Sequence, residues 1–196
     1  MESDKRRGPR QEVRERILRA TYDCVGLFGL SKTTIEDAAR HAGVSRATVY
    51  RYFPGGRDEL MKEVVTWEYW RFFMRLYEEI RSCDSLEELM ERALMLAHKA
   101  ITEHEVLQRL VATEPEVLLH TLTTESAGTQ ELIAAFLKPY LEMHGLNPRV
   151  DVDEAADFLA RMVLSYISAP GRWDLADREQ VSKLVRAELL AGVVQR

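Results

Sequence analysis

Cysteine is almost missing from this chain: Cys24 and Cys83 are the only two in 196 residues. That is too few for a disulfide framework, and no CxxC spacing marks a zinc or redox site. Two idle thiols in a reducing compartment are the expectation. No apolar run reaches the length needed to span a bilayer. The N-terminus, MESDKRRGPRQEVRER, lacks the apolar core of a secretory signal, so a cytoplasmic location is expected. Strand signals are also lacking, with no sustained apolar–polar alternation and no Asn-Gly or Asp-Gly hairpin. The five histidines show no metal-ligand spacing: His98 and His104 stand six apart, and no HExxH, GxSxG or P-loop occurs. No enzyme, metal site or cofactor is expected.

The net charge of −5 argues weakly against a nucleic-acid partner, but its distribution reverses that. Residues 1–60 carry 12 Lys+Arg against 9 Asp+Glu, and residues 61–196 carry 15 against 23. A basic end on an acidic remainder is the asymmetry expected when one end meets a polyanion.

Helical periodicity runs through most of the chain. Val13, Ile17, Ala20, Cys24 and Phe28 form one helical stripe, which Gly29 closes. Thr34 and Asp37 have capping-box spacing at the head of a short helix that stops at Gly43. Ser45 caps the next, and PGG at 54–56 ends it. A long helix is expected from Arg57 to about Ile80, then one from a Ser85/Glu88 capping box to about Glu103. Short helices are expected at 104–113 and after Pro115. A longer one at 127–144 should be kinked by Pro139. Asp151 or Asp153 should cap a helix to about Ser168, and 177–194 should form the last. The fold class is all-α with about nine helices: a small N-terminal domain, 1–56, and a larger C-terminal one, 57–196.

HAGVSRATVYRYF, residues 41–53, carries the functional signal. Two short helices joined through Gly43 make a helix-turn-helix, with Val44 plugging the angle and Ala38, Ala39 and Ala42 allowing close approach. Val49 and Phe53, four apart, face inward. Ser45, Arg46, Ala47, Thr48, Tyr50, Arg51 and Tyr52 are left for the outer face and edges. Such a helix fits a DNA major groove, where hydroxyls bond phosphates and arginines bond phosphates or guanine edges.

Residues 29–53, GLSKTTIEDAARHAGVSRATVYRYF, closely resemble the N-terminal domain of the TetR family of transcriptional regulators. The Gly, the Thr-Thr pair, the AGVS turn and the Thr-Val-Tyr-Arg-Tyr-Phe run all match the family pattern. The resemblance implies that Thr34, Tyr50 and Tyr52 contact phosphates and that Arg46, Ala47, Thr48 and Arg51 occupy positions that vary with operator sequence. One departure stands out: FPGGRDEL has one residue more than the family pattern, and Arg57 takes the place of its lysine. Arg57 is either a phosphate clamp or a helix-start charge. The basic arm Lys5–Arg10 either threads a minor groove or is a solvated tail.

WEYWRFFMRLY, residues 67–77, holds six of the sixteen aromatics. Core packing is one role for them; the resemblance implies another, since this helix leads to an effector cavity in TetR-like proteins. Phe73, Tyr77, Leu94, His98, Leu110, Phe136, Tyr140, Phe158, Met162 and Tyr166 are the candidate walls, suited to a small apolar ligand, with His98 as a polar anchor or an ordinary packed histidine. The last two helices are apolar on two faces: Ala156, Ala160, Val163 and Ile167 against Ala155, Phe158, Met162 and Tyr166, and Val181, Val185 and Leu189 against Leu184, Ala187, Ala191 and Val194. A second apolar face needs a partner, and a homodimer through these two helices, as in the family, is expected. The functional expectation is a repressor released from a palindromic operator by a small ligand. The alternative is a DNA-binding protein of the same fold that acts without an effector.

Overall fold

The computed structural model describes residues 8–194, with the side chains of 117–127 outside the description. Helices are set by local caps. Gly8 precedes α1 (Pro9–Phe28), which opens on a proline at its first position and closes at Gly29, φ 92°. Thr34 caps α2 (Ile35–Ala42) with the full reciprocal box: its hydroxyl accepts from Asp37 N, and the Asp37 carboxylate takes the Thr34 amide. Gly43, in the left-handed conformation at φ 63°, ψ 37°, turns the chain into α3 (Arg46–Tyr52), whose first turn is capped by Ser45. α4 runs Gly56–Ile80, and Glu59 accepts from the Gly55 amide at its start (2.6 Å). α5 (Leu86–Thr102) is capped by Ser85 as expected, but Glu88 reaches back to the amide of Asp84 rather than that of Ser85. α6 (Glu105–Thr113), α7 (Pro115–His144) and α8 (Val152–Ser168) follow, α8 capped by Asp151. α9 (Arg178–Leu184) runs into a π-helical turn, Val185–Leu189. The described residues thus form the expected all-α fold of nine α-helices. None of these helices is long and apolar enough to cross a membrane.

Three expectations fail. The two helices anticipated after Pro115 and at 127–144 are one continuous α7. The last helix does not reach 194: it widens to π geometry at Val185 and ends at Leu189, after which Gly192 turns at φ 83° and Val194 bridges to Leu146. The expected arm is shorter, because Pro9 and Arg10 belong to α1; residues 5–7 lie outside the described residues.

The chain forms two compact units. Residues 1–73 and 105–118 make the first, and 74–104 and 119–196 the second, a division by packing that differs from the 1–56/57–196 division by role. In the first unit α1 packs on α2 and α6. Its core joins Ile17, Leu18, Ala38, Val49, Phe53 and Leu60, with Val13, Val44, Tyr52 and Trp67 packed against it. Val49 and Phe53 point inward, and Val44 fills the interhelical angle as expected. Phe28 departs from its stripe: it is exposed and packs edge-on to His41. Cys24 is buried in α1, and that burial, with lesser contributions from Asp37 and Asp23, pushes its thiol up to about 11. In the second unit α5 packs on α8, α9 and the π turn, over a core that includes Leu89, Met90, Leu94, Leu159, Val181, Leu184 and Val185.

Candidate nucleic-acid interface

Burial of Val49 and Phe53 fixes the rotation of α3 and thereby its outer face. Ser45, Arg46, Ala47, Tyr50 and Arg51 are exposed; Thr48 and Tyr52 are partly covered. Ser45 holds the start of the helix, its hydroxyl accepting from Thr48 N (3.1 Å) and lying 2.9 Å from the Thr48 hydroxyl.

Arg46 is the best-connected side chain on this face. Its Nη1 pairs with Glu36 Oε1 at 2.5 Å, its Nη2 donates to the Tyr50 hydroxyl at 3.4 Å, and its guanidinium covers the Tyr50 ring at 5.5 Å. Tyr50 and then Glu36 raise its pKa further. Glu36, on α2, was not singled out in the sequence; ten positions separate it from Arg46, and no local spacing rule links them. Tyr52 packs on the unit's core between Arg51 (5.5 Å) and Arg10 (6.0 Å). Arg10, assigned from sequence to the arm, is therefore part of this face.

Thr34 stands at the exposed head of α2, where its hydroxyl also donates to Asp37 Oδ2 at 2.6 Å; this bond holds the Asp37 carboxyl below its usual range. Arg57 is engaged within the protein. Its Nε donates to Thr33 O at 2.8 Å, its Nη2 donates to Leu30 O, and its Nη1 lies 3.8 Å from Asp58. Arg57 thus fastens the turn that delivers Thr34.

The ten candidate ligand residues do not assemble as one set. Phe73 and Leu110 belong to the first unit and the other eight to the second. Within the second unit, Phe136 and Tyr140 touch (ring centroids 5.6 Å). Burial first, then the neighbouring Tyr77 and Cys83, push the Tyr140 hydroxyl upward. Leu94 is fully buried, His98 and Met162 are partly covered, and Tyr77 and Phe158 are exposed. The Tyr166 hydroxyl donates to Glu188 and its pKa is pushed up to about 12, by burial first and then by that carboxylate. Two surface grooves in the second unit are lined by other residues. One of about 900 Å³ is walled by Glu87, Glu91, Arg178, Lys183 and Arg186 among others, and one of about 480 Å³ by Asp84, His144, Leu190 and Val194 among others.

The apolar faces of the last two helices are also reassigned. Val181, Leu184, Val185 and Leu189, expected on opposite sides of a final helix, are all buried in their own unit. α8 keeps free apolar surface: it buries Ala155, Ala156, Leu159 and Ala160 but leaves Phe158 41% exposed.

A short capped helix held by a glycine turn, with its polar face outward and its apolar face in a small helical core, is a helix-turn-helix DNA-binding domain. Residues 17–64 match the model of the bacterial regulatory proteins of the tetR family, and the chain belongs to that family of DNA-binding transcriptional regulators. Among its relatives is the uncharacterized HTH-type transcriptional regulator Rv1255c of Mycobacterium tuberculosis, 29% identical over 77% of this chain and 72% of that one. A second from the same organism, Rv2250c, is 44% identical over 57 residues, 29% of this chain and 30% of the relative. The fold is shared with the TetR family repressor AlkX of a Dietzia strain, implicated in biodegradation of n-alkanes. The TM-score is 0.65 at 24% identity, over 91% of this chain and 98% of the other.

Proposed function

We propose that this regulator is a cytoplasmic homodimeric repressor that reads a palindromic operator and leaves it when a small, largely apolar ligand binds. The observation that carries the DNA half is the outward face of α3: Arg46, Ala47, Tyr50 and Arg51 exposed above a buried Val49 and Phe53. In this reading Thr34, Ser45, Tyr50 and Tyr52 bond phosphates, and Arg46, Ala47, Thr48 and Arg51 face bases. Arg57 contributes through the turn it holds and meets a phosphate only through Nη1. The aromatic group of Tyr77, Phe136 and Tyr140 supports an apolar ligand in the second unit. One observation favours the second reading, a DNA-binding protein without an effector: neither described groove is lined by the candidate ligand residues. Selection of bound sequences from random duplex DNA, followed by a release screen with apolar small molecules on the recovered operator, tests both halves. Release supports the repressor reading, and a recovered operator that no such ligand releases supports the second.

Arg46 and Arg51 are the long bidentate donors on the recognition helix. Arg51→Ala should relax preference at one base pair per half-site, about 1–3 kcal/mol of discrimination. Arg46→Ala should do the same. Because Glu36 must release Arg46 for that contact, Glu36→Gln should strengthen binding to all sequences while narrowing the gap between operator and random DNA. Binding to an operator library measures both effects, and uniform weakening by either alanine variant would demote that arginine to a phosphate contact.

Two-fold pairing must rest on α8 more than on α9. Phe158→Asp should give a folded monomer with its thermal midpoint nearly intact and little operator affinity, since a single half-site remains. Val185→Asp should instead unfold the second unit, because Val185 is fully buried there. Sedimentation and thermal melting separate the two results; a dimeric Phe158→Asp protein would remove α8 from the interface.

A further inference from the structure

The turn between α1 and α2 is held by a residue far away in sequence. Glu114 Oε1 accepts from Leu30 N at 2.8 Å, and Oε2 accepts from Ser31 N at 2.9 Å and from the Ser31 hydroxyl. The Ser31 hydroxyl first, then the Ser31 and Leu30 amides, hold the Glu114 carboxyl below its usual range. The backbone is shaped to admit it: Gly29 sits at φ 92°, and a Cβ there would overlap Glu114 Oε1. The helix that carries Glu114 is itself tied to α1. Arg109 Nη1 donates to Gly26 O at 2.6 Å, and Val106 packs against Gly26, where a Cβ would meet its Cγ2 at 3.0 Å. On the other side of the turn Arg57 holds the Leu30 and Thr33 carbonyls, and the buried Thr33 hydroxyl donates to Gly29 O at 2.7 Å. The turn is clasped from both sides, and the next residue is Thr34.

We propose that Glu114 is a positioning residue for DNA binding: its carboxylate holds the Leu30–Ser31 amides, sets the height of Thr34 and the head of α2 against the phosphate backbone, and so ties operator affinity to the placement of residues 105–114. This rests on the DNA-binding reading above. A carboxylate that accepts three hydrogen bonds fixes the turn more tightly than a neutral acceptor, because charge-assisted bonds are shorter and stronger. Gln in its place accepts through one oxygen only, and its NH₂ faces a donor. Glu114 is also the residue before Pro115, where α7 starts, so a displacement of that helix start withdraws the carboxylate from the turn.

The test uses the full-length protein and the operator recovered by selection. Glu114→Gln should lower operator affinity about tenfold, the equivalent of about 1.4 kcal/mol. The salt dependence should become shallower by about 0.9 log units per log unit of salt for each phosphate lost. Amide hydrogen exchange at Leu30 and Ser31 should speed up. In a double-mutant cycle with Thr34→Ala the two losses should not add, since both remove the same contact. Ser31→Ala, which removes one donor of the three, should show the same pattern at smaller size and serves if Glu114→Gln does not fold. An unchanged salt slope with additive losses, whatever the melting temperature does, would overturn the inference while leaving DNA binding in place. A wild-type protein that recovers no operator would overturn both.

Discussion

Raising the salt from about 50 to about 200 mM should weaken operator binding about 10⁴-fold, if four phosphate contacts per subunit make about eight in the dimer and each contributes a slope of about 0.9. The four are Thr34, Ser45, Tyr50 and Tyr52. The chain as a whole is acidic, with a formal charge of −5, so long-range attraction is weak and the slope must come from groups that touch the backbone. Tyr50→Phe removes a hydroxyl from a side chain that is 39% exposed and contributes little to the core. It should reduce the slope by about 1.8 for a dimer, weakening all sequences alike. Binding isotherms at several salt concentrations measure both quantities. A slope near zero would mean that the outer face of α3 does not meet phosphates at all.

Phe53→Ala should destabilise the first unit by about 3–5 kcal/mol. Phe53 is fully buried at the end of α3, joins Val49 and Leu60 in the core and lies under the Arg14 guanidinium at 5.4 Å. Total stabilities of about 5–15 kcal/mol leave little after such a loss. The readout is a thermal or denaturant melt followed through Trp67, which packs on the same core. Operator binding should fall in step with the unfolded fraction, with base preference unchanged in the molecules that remain folded. A loss under about 1 kcal/mol, the scale of a volume-conserving swap, would show that the core around α3 refills the space.

What the sequence discloses and what it withholds divide along the reach of the interactions. Thr34, Ser45, Ser85 and Asp151 are caps made within a few residues, and each appears where its spacing put it. Gly43 announces its own left-handed turn, because that conformation is costly for residues with a Cβ. The inward Val49 and Phe53 follow from helical period alone. The middle of α7 is different. Thr and Gly residues between 121 and 129 read as a break, yet one Gly inside a helix costs only about 1 kcal/mol relative to Ala, and the helix continues through Gly128. The C-terminal end fails in the opposite direction. Apolar periodicity continues past Leu189 without a stop signal until Gly192, while the chain has already turned into its own core. The polar partnerships were hidden for a third reason. Glu114 and Ser31 are 83 positions apart, and Arg57 and Leu30 are 27 apart. A lone Glu or Arg in such a place looks like any solvated charge until the chain is folded.

Cys24 gives the folded protein an internal clock. With the thiol buried and its pKa near 11, only about one molecule in ten thousand carries the reactive thiolate at neutral pH, and that one is shielded. Alkylation at this sulfur therefore waits for α1 to lift from its neighbours, and its rate counts those openings. Cys83 lies in the other unit, and the two sites are distinguished by mass after digestion. The same reagent, added with and without a ligand of either unit, turns each binding event into a change in labelling half-life, with no spectroscopic tag introduced.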